Sequence, residues 1–214
     1  MKKVVIAGLV VMGMLAVPAL AFEELAVGDA HIKDNNDSPD GTDYQHCVAT
    51  AGQTKAMIVE WDLSAYAGWD AVGDATLTIS VGWADQNPAP IAAYELIGGD
   101  FDETTVTGVS YAGGDVSSVF GDLAGSGLVT ETGNFTYADI TIAQASMDKL
   151  LKGTADGLAL TNVSGTGMNM CIKTKDADWT LHAEPTLTFD AVVPEPATMS
   201  LLALGGLAAL IRRK

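Results

Sequence analysis

Asp74-Ala75-Thr76-Leu77-Thr78-Ile79-Ser80-Val81-Gly82-Trp83-Ala84 is the stretch that decides the fold. Ala75, Leu77, Ile79, Val81 and Trp83 alternate with Thr76, Thr78, Ser80 and Gly82. A period of two is the pattern of a strand with one buried face and one hydroxyl-rich face. Each large apolar side chain contributes about 1.5–3 kcal/mol on burial, so the strand is expected at the centre of a sheet, with Trp83 in the core. A second strand from Lys55 to Asp62 puts Met57, Val59 and Trp61 on one face. Further strands are expected at 25–33, 45–50, 91–97, 127–131, 135–141, 157–163, 168–174 and 185–192. The Gly, Asp, Asn and Ser between them supply the turns of a sandwich. Residues 142–152 depart from this pattern. Ile142, Ala145, Leu150 and Leu151 point inward, Ser146, Asp148 and Lys149 outward, and Gly153 stops a short helix that plugs one end. The run from Gly108 to Gly127 reads as a long mobile loop. The expected fold class is all-β: a single antiparallel β-sandwich, jelly-roll-like, with one short helix, over residues 22–192.

The two ends carry different chemistry. Lys2 and Lys3 precede an apolar stretch from Val4 to Val17, and Ala19-Leu20-Ala21 is an A-x-A cleavage site. Residues 1–21 are therefore expected to be a signal peptide, with Phe22 as the mature N-terminus. At the other end, residues 193–214 read VPEPATMSLLALGGLAALIRRK. Pro194-Glu195-Pro196 breaks the chain, Ala197 to Ile211 is apolar, and Arg212-Arg213-Lys214 is basic. A fifteen-residue helix covers roughly 22 Å, so it meets a hydrocarbon core of about 30 Å by snorkelling of its basic end and local thinning. The basic end stays cytoplasmic by the positive-inside rule. A plain membrane anchor needs no Pro-Glu-Pro. The triplet, the short helix and Arg212 and Arg213 together resemble the PEP-CTERM sorting signal. That resemblance implies an exosortase-type membrane enzyme and the secretion machinery as partners, and removal of the tail. It also implies transient residence in the inner membrane, then delivery to the cell surface or extracellular matrix of a Gram-negative bacterium.

Between the targeting segments lie six lysines, no arginine and twenty-six acids, a net charge of −20. This domain cannot build the basic face that nucleic acid requires, so no nucleic-acid partner is expected. It also repels anionic polysaccharide unless a divalent cation bridges the two. His31, His46 and His182 are scattered, and H-E-x-x-H, G-x-S-x-G and G-x-x-x-x-G-K are absent from the sequence. The expectation is therefore that the protein is not an enzyme. Export places Cys47 and Cys171 in an oxidising compartment, where they are a candidate disulfide. The alternative is two buried thiols.

Two constellations are candidate binding sites. Asp34, Asn36, Asp37, Asp40 and Asp43 crowd hard oxygen ligands into ten residues, which suits Ca²⁺ as a cofactor. The spacing is not that of an EF-hand, since Pro39 stands where the invariant glycine belongs, and a solvated Asx-turn loop is the plainer alternative. Trp69 and Trp179 lie near loops and are candidate platforms for a sugar ring, the alternative being capping of the sandwich edge.

The order of short motifs carries a second resemblance. Asp29-Ala30-His31-Ile32 opens the series. Ala56 to Ser64, ending Glu60-Trp61-Asp62-Leu63-Ser64, is similar to an "apolar-x-FDLS" strand. Asp74 to Thr78 is similar to "s-A-T-L-t", and Phe101-Asp102-Glu103-Thr104-Thr105-Val106-Thr107 to "W-D-E-S-T-V-T". Gly157 to Thr161 and Pro185 to Phe189 fit the closing strands. Together they resemble the DNRLRE-type β-sandwich modules, a disaggregatase-related group of carbohydrate-binding domains. The resemblance implies a module that binds extracellular polysaccharide. The alternative is a structural matrix or biofilm protein, acidic and glycosylated or cross-linked through calcium, with no specific ligand.

Overall fold

The computed structural model describes residues 19–39, 45–49, 53–131, 136–163, 170–175 and 184–194. In chain order the elements are β1 (Leu20–Leu25), β2 (Gly28–Lys33), β3 (Gln45–Val48), β4 (Lys55–Glu60), β5 (Asp70–Ala71), β6 (Ala75–Ala84) and β7 (Ala89–Leu96). Then come α1 (Gly108–Ala112), β8 (Phe120–Val129), β9 (Tyr137–Ile142), α2 (Gln144–Leu151), β10 (Gly157–Asn162), β11 (Met170–Lys173) and β12 (Thr186–Val192). The fold is all-β, as its alternating strands require. All pairings are antiparallel, and the sheet runs β1-β12-β6-β9-β8-β7-β10-β4-β2, with β3–β11 attached to β6 through β11 and β5 attached to β12.

Two consecutive strands, β1 and β2, lie at opposite ends of that order. Only Ala26 and Val27 join them. The Ala26 amide donates to Pro185 O, beside β12, and the Val27 amide donates to Glu60 O, at the end of β4 (both 3.0 Å). The sheet therefore curls until its ends meet and encloses one core in a sandwich-like arrangement. β8 helps it turn. Two register shifts against β7 leave extra residues on β8, and such bulges bend a strand and increase its twist. Gly125 lies so close to β9 that a Cβ there would sit 2.0 Å from Thr141 O.

β6 is central, between β12 and β9, with Leu77 opposite both Leu187 and Ile140. Ala75, Leu77, Ile79 and Val81 are buried in the enclosed core. Trp83 is not: it is 41% exposed, against the sequence expectation. The cause is a register shift, since Val81 faces Ile172 but Trp83 faces Cys171, so Gly82 is an extra residue and the alternation slips by one.

A second apolar cluster covers the outer face of β2, β4, β10 and β7. Ala30, Ile32, Ala56, Ile58, Leu96 and Ala159 meet Val106, Ala112, Val116 and Val119 there. β10 is buried at all six positions for this reason, and β4 at four consecutive ones. The cover corrects two expectations. The stretch from Gly108 to Gly127 is not a long loop but α1, a 3-10 turn and most of β8, and the described residues hold two short α-helices where one was expected. Thr107 caps α1 in a reciprocal box with Ser110.

α2 sits where the pattern put it, but its face is rotated. Ser146, Met147, Leu150 and Leu151 are buried, while Ala145 is exposed. Ser146 turns inward because Glu95 on β7 is buried and needs donors: the Ser146 hydroxyl donates to Glu95 Oε1 (2.8 Å), and Lys149 Nζ donates to Glu95 Oε2 and to Asp122 Oδ2 (both 2.7 Å). Gly153, with φ +64°, ends the helix region. Cys171 is disulfide-bonded, and its register partner on β3 is Cys47, the other cysteine of the chain.

Candidate functional site

A cleft of about 640 Å³ opens between the segment after β4, the end of α2 and the 98–100 turn. Its floor is apolar, made by Trp61, Leu63, Leu150, Leu151 and Ala155. Its rim carries Asp62, Ser64, Asp100, Lys152 and Asp156.

Each wall follows from local sequence. After β4, Asp62 Oδ1 accepts from the Ser64 amide (3.1 Å), an Asx turn that launches the 3-10 turn at Ser64–Tyr66. Hydrogen bonding from the Ser64 hydroxyl, and then from its amide, holds the Asp62 carboxyl below its usual range, so the rim is charged at neutral pH. Gly68 then donates to Leu151 O (3.1 Å), tying this turn to α2. Trp61 is fixed by its Nε1, which donates to Pro185 O (3.3 Å). Asp156 Oδ2 accepts from the Gly99 amide (2.8 Å), which joins the third wall to the second. Lys152 does not neutralise the cleft, because its Nζ lies 2.9 Å from Asp70 and 3.7 Å from Asp148.

Behind Asp100 and Asp156 lies Glu60, the last residue of β4. Burial, and then the negative charges of Asp100, Asp156 and Glu103, push its carboxyl up to about 7. Burial, and then the negative charges of Asp156, Glu60 and Asp100, raise the Tyr111 hydroxyl, which donates to Gly99 O (2.6 Å). A raised carboxyl pKa has a definite sign in stability. Between pH ~4.5 and 7 the folded state holds a proton that the unfolded state has lost, so stability falls as pH rises through that window and is flat above it. Glu60→Gln is therefore expected to match wild type at pH 4.5. At pH 8 it should melt a few degrees higher, about 1 kcal/mol after allowing for the solvent that screens a half-buried group. Thermal melts at the two pH values check this.

The structure places the described sequence candidates elsewhere. Trp69 is half-buried in an aromatic cluster, its ring 5.6 Å from Phe22 and 5.7 Å from Tyr66, both of which also touch Phe189. It caps the core edge, the alternative reading of that residue. Trp179 lies outside the described residues. Asp34 has both carboxylate oxygens engaged by backbone amides, Oδ2 by Thr54 (2.7 Å) and Oδ1 by Val116 (2.9 Å), which fastens the outer cover to β2. Asn36 closes a local turn, its Nδ2 donating to Ser38 O (2.7 Å). Asp37 is exposed, and Asp40 and Asp43 lie outside the described residues. Among the described residues, no three His, Cys, Asp or Glu side chains form a metal-binding group. Pro194 follows β12 after Val193, while Glu195, Pro196, Arg212 and Arg213 lie outside the described residues. Among the described residues no helix is long and apolar enough to cross a membrane.

Glu60, Asp100 and Asp156 were not distinguishable as site residues in a chain this acidic. The one local hint was Trp61-Asp62-Leu63-Ser64, a bulky aromatic followed at once by an Asx turn.

Among known families, the PEP-CTERM protein-sorting motif matches residues 192–214. The motif marks an exported protein processed by an exosortase-type enzyme of Gram-negative bacteria. No curated protein matches the chain.

Proposed function

We propose that this exported, exosortase-sorted chain displays a non-catalytic β-sandwich module, residues 22–192, that binds polysaccharide in the Trp61–Asp156 cleft at the cell surface or in the extracellular matrix. The observation that carries the reading is the cleft itself: an apolar floor with a few convergent oxygen acceptors on its rim is the usual form of a small-molecule or saccharide subsite. Carboxylates at Asp62, Asp100 and Asp156 accept hydrogen bonds from sugar hydroxyls, and apolar side chains cover the ring faces. The same carboxylates repel uronic acids and sulfated sugars, so the ligand is a neutral glycan. The similarity of the strand motifs to the DNRLRE-type modules points the same way.

The test is retention of the processed protein on insoluble neutral polysaccharides at pH 7, in calcium and in EDTA. Asp100 is exposed and outside the core, so Asp100→Ala leaves the fold intact. It removes a charged acceptor, about 1.5 kcal/mol, and is expected to weaken retention about tenfold. Equal retention of wild type and variant would place the site elsewhere.

A second reading has one observation in its favour, the net charge of −20 over residues 22–192. A chain that acidic can act as a structural matrix component, cross-linked through Ca²⁺. Calcium-dependent self-association without glycan retention, abolished by EDTA, would favour it over the first.

A further inference from the structure

The expected signal cut and the start of the sorting triplet lie beside each other. β1 and β12 run antiparallel, with Leu20 opposite Ala191, Ala21 opposite Asp190 and Phe22 opposite Phe189. The start of β1 and the end of β12 therefore leave the domain side by side, one strand spacing apart, about 4.8 Å. The expected signal cut, Ala21–Phe22, falls inside this ladder. The sorting triplet begins at Pro194, and only Val193, 48% exposed, separates it from the end of β12.

The other edge of the β12 end is held by β5, with Ala191 opposite Ala71 and Val192 opposite Asp70. β5 is fastened to α2: the Ala71 amide donates to Asp148 Oδ1 (2.8 Å), Ala71 O accepts from Gln144 Nε2 (2.8 Å), and Lys152 Nζ lies 2.9 Å from Asp70. It stays in place when its neighbour changes. The β1 edge is different, because Leu20 and Ala21 belong to the segment that is discarded.

We propose that the membrane sorting enzyme docks on the β1-facing edge of Asp190 and Ala191, and that removal of the signal peptide creates this docking edge. Hydrolysis of the Ala21–Phe22 bond by water leaves an Ala21 carboxylate on the discarded segment and a Phe22 ammonium on the domain. Leu20 and Ala21 then depart, and the backbone groups they covered become an open strand edge just before the triplet. An open edge is what a partner uses to pair with an extended segment. Phe22 stays behind, anchored against Tyr66 (4.6 Å) and Phe189 (5.5 Å), so the rest of β1 keeps the domain closed. The fold thus orders the two cuts, N-terminal first.

This rests on the sorting assignment, which has its own check: a Pro194-Glu195-Pro196 to triple-alanine variant keeps its tail if the assignment holds. The ordering is tested in the full chain, in a host that carries the sorting enzyme. Ala19 and Ala21 are exposed, so Ala19→Tyr with Ala21→Tyr blocks signal cleavage without disturbing the core. Pulse-chase with intact-mass readout is expected to show tail removal slowed severalfold in this variant. A second variant adds a flexible Gly/Ser spacer between Val193 and Pro194, long enough to clear the domain. It is expected to restore tail removal while the signal remains. Tail loss at the wild-type rate with the signal retained would overturn the proposal, and so would failure of the spacer to restore it.

Discussion

Replacing both cysteines with alanine, C47A/C171A, is expected to lower the stability of the exported protein by about 4–5 kcal/mol. A bridge between them closes a loop of about 125 residues, and the chain-entropy cost released on its removal grows with loop length. In a domain of about 170 residues that is roughly 10–15 °C in Tm. The loss is not spread evenly. β3 is an edge strand that pairs with β11, reinforced by the bridge between Ala49 and Lys55. Hydrogen exchange in the variant should therefore open β3 and β11 first, while β6, β9 and β12 keep near-native protection. An unchanged melting temperature would mean that the β3–β11 ladder holds itself.

Leu77→Ala is the other large effect. Leu77 is fully buried on β6, with Ile140 of β9 and Leu187 of β12 as its direct partners, both also fully buried. Truncation removes three carbons' worth of contact from the middle of the sheet and leaves a cavity that flanking strands cannot close, a cost of about 3–5 kcal/mol. Leu128→Ala is the control. It lies on β8 but is 54% exposed, and its loss should be within about 0.5 kcal/mol. Urea titration of both variants measures the difference. Equal destabilisation would mean that the enclosed face of β6 is not the core.

Much of this fold was legible in the sequence because alternation is a local signal. β6 reads correctly from Ala75 to Val81, and fails at Trp83 only because the bulge at Gly82 depends on how β11 pairs with it. β4 and β10 show short apolar runs instead of alternation, for they are buried on both faces. That signal stays ambiguous until the outer cover from Val106 to Val119 is known. The face of α2 is not legible at Ser146, whose burial answers to Glu95, fifty-one positions away. The sorting signal was fully legible, since all its parts lie in one continuous stretch. The cleft was not. Its walls come from residues 61–68, 100 and 150–156, and nothing in any one of them records that the other two are near. For Trp69, residue type and loop position alone cannot separate a sugar platform from a ring packed against Phe22 and Tyr66.

The claim that the domain binds glycan in the Trp61–Asp156 cleft is tested most directly by amide NMR of the ¹⁵N-labelled processed protein, titrated at pH 7 with soluble neutral oligosaccharides. Saturable shifts confined to Asp62–Gly68, Gly99–Asp100 and Lys152–Asp156 are the predicted result. Shifts centred on another surface, such as Leu128 and Tyr137 on the outer face of β8 and β9, or no saturable shift with any oligosaccharide, would contradict it.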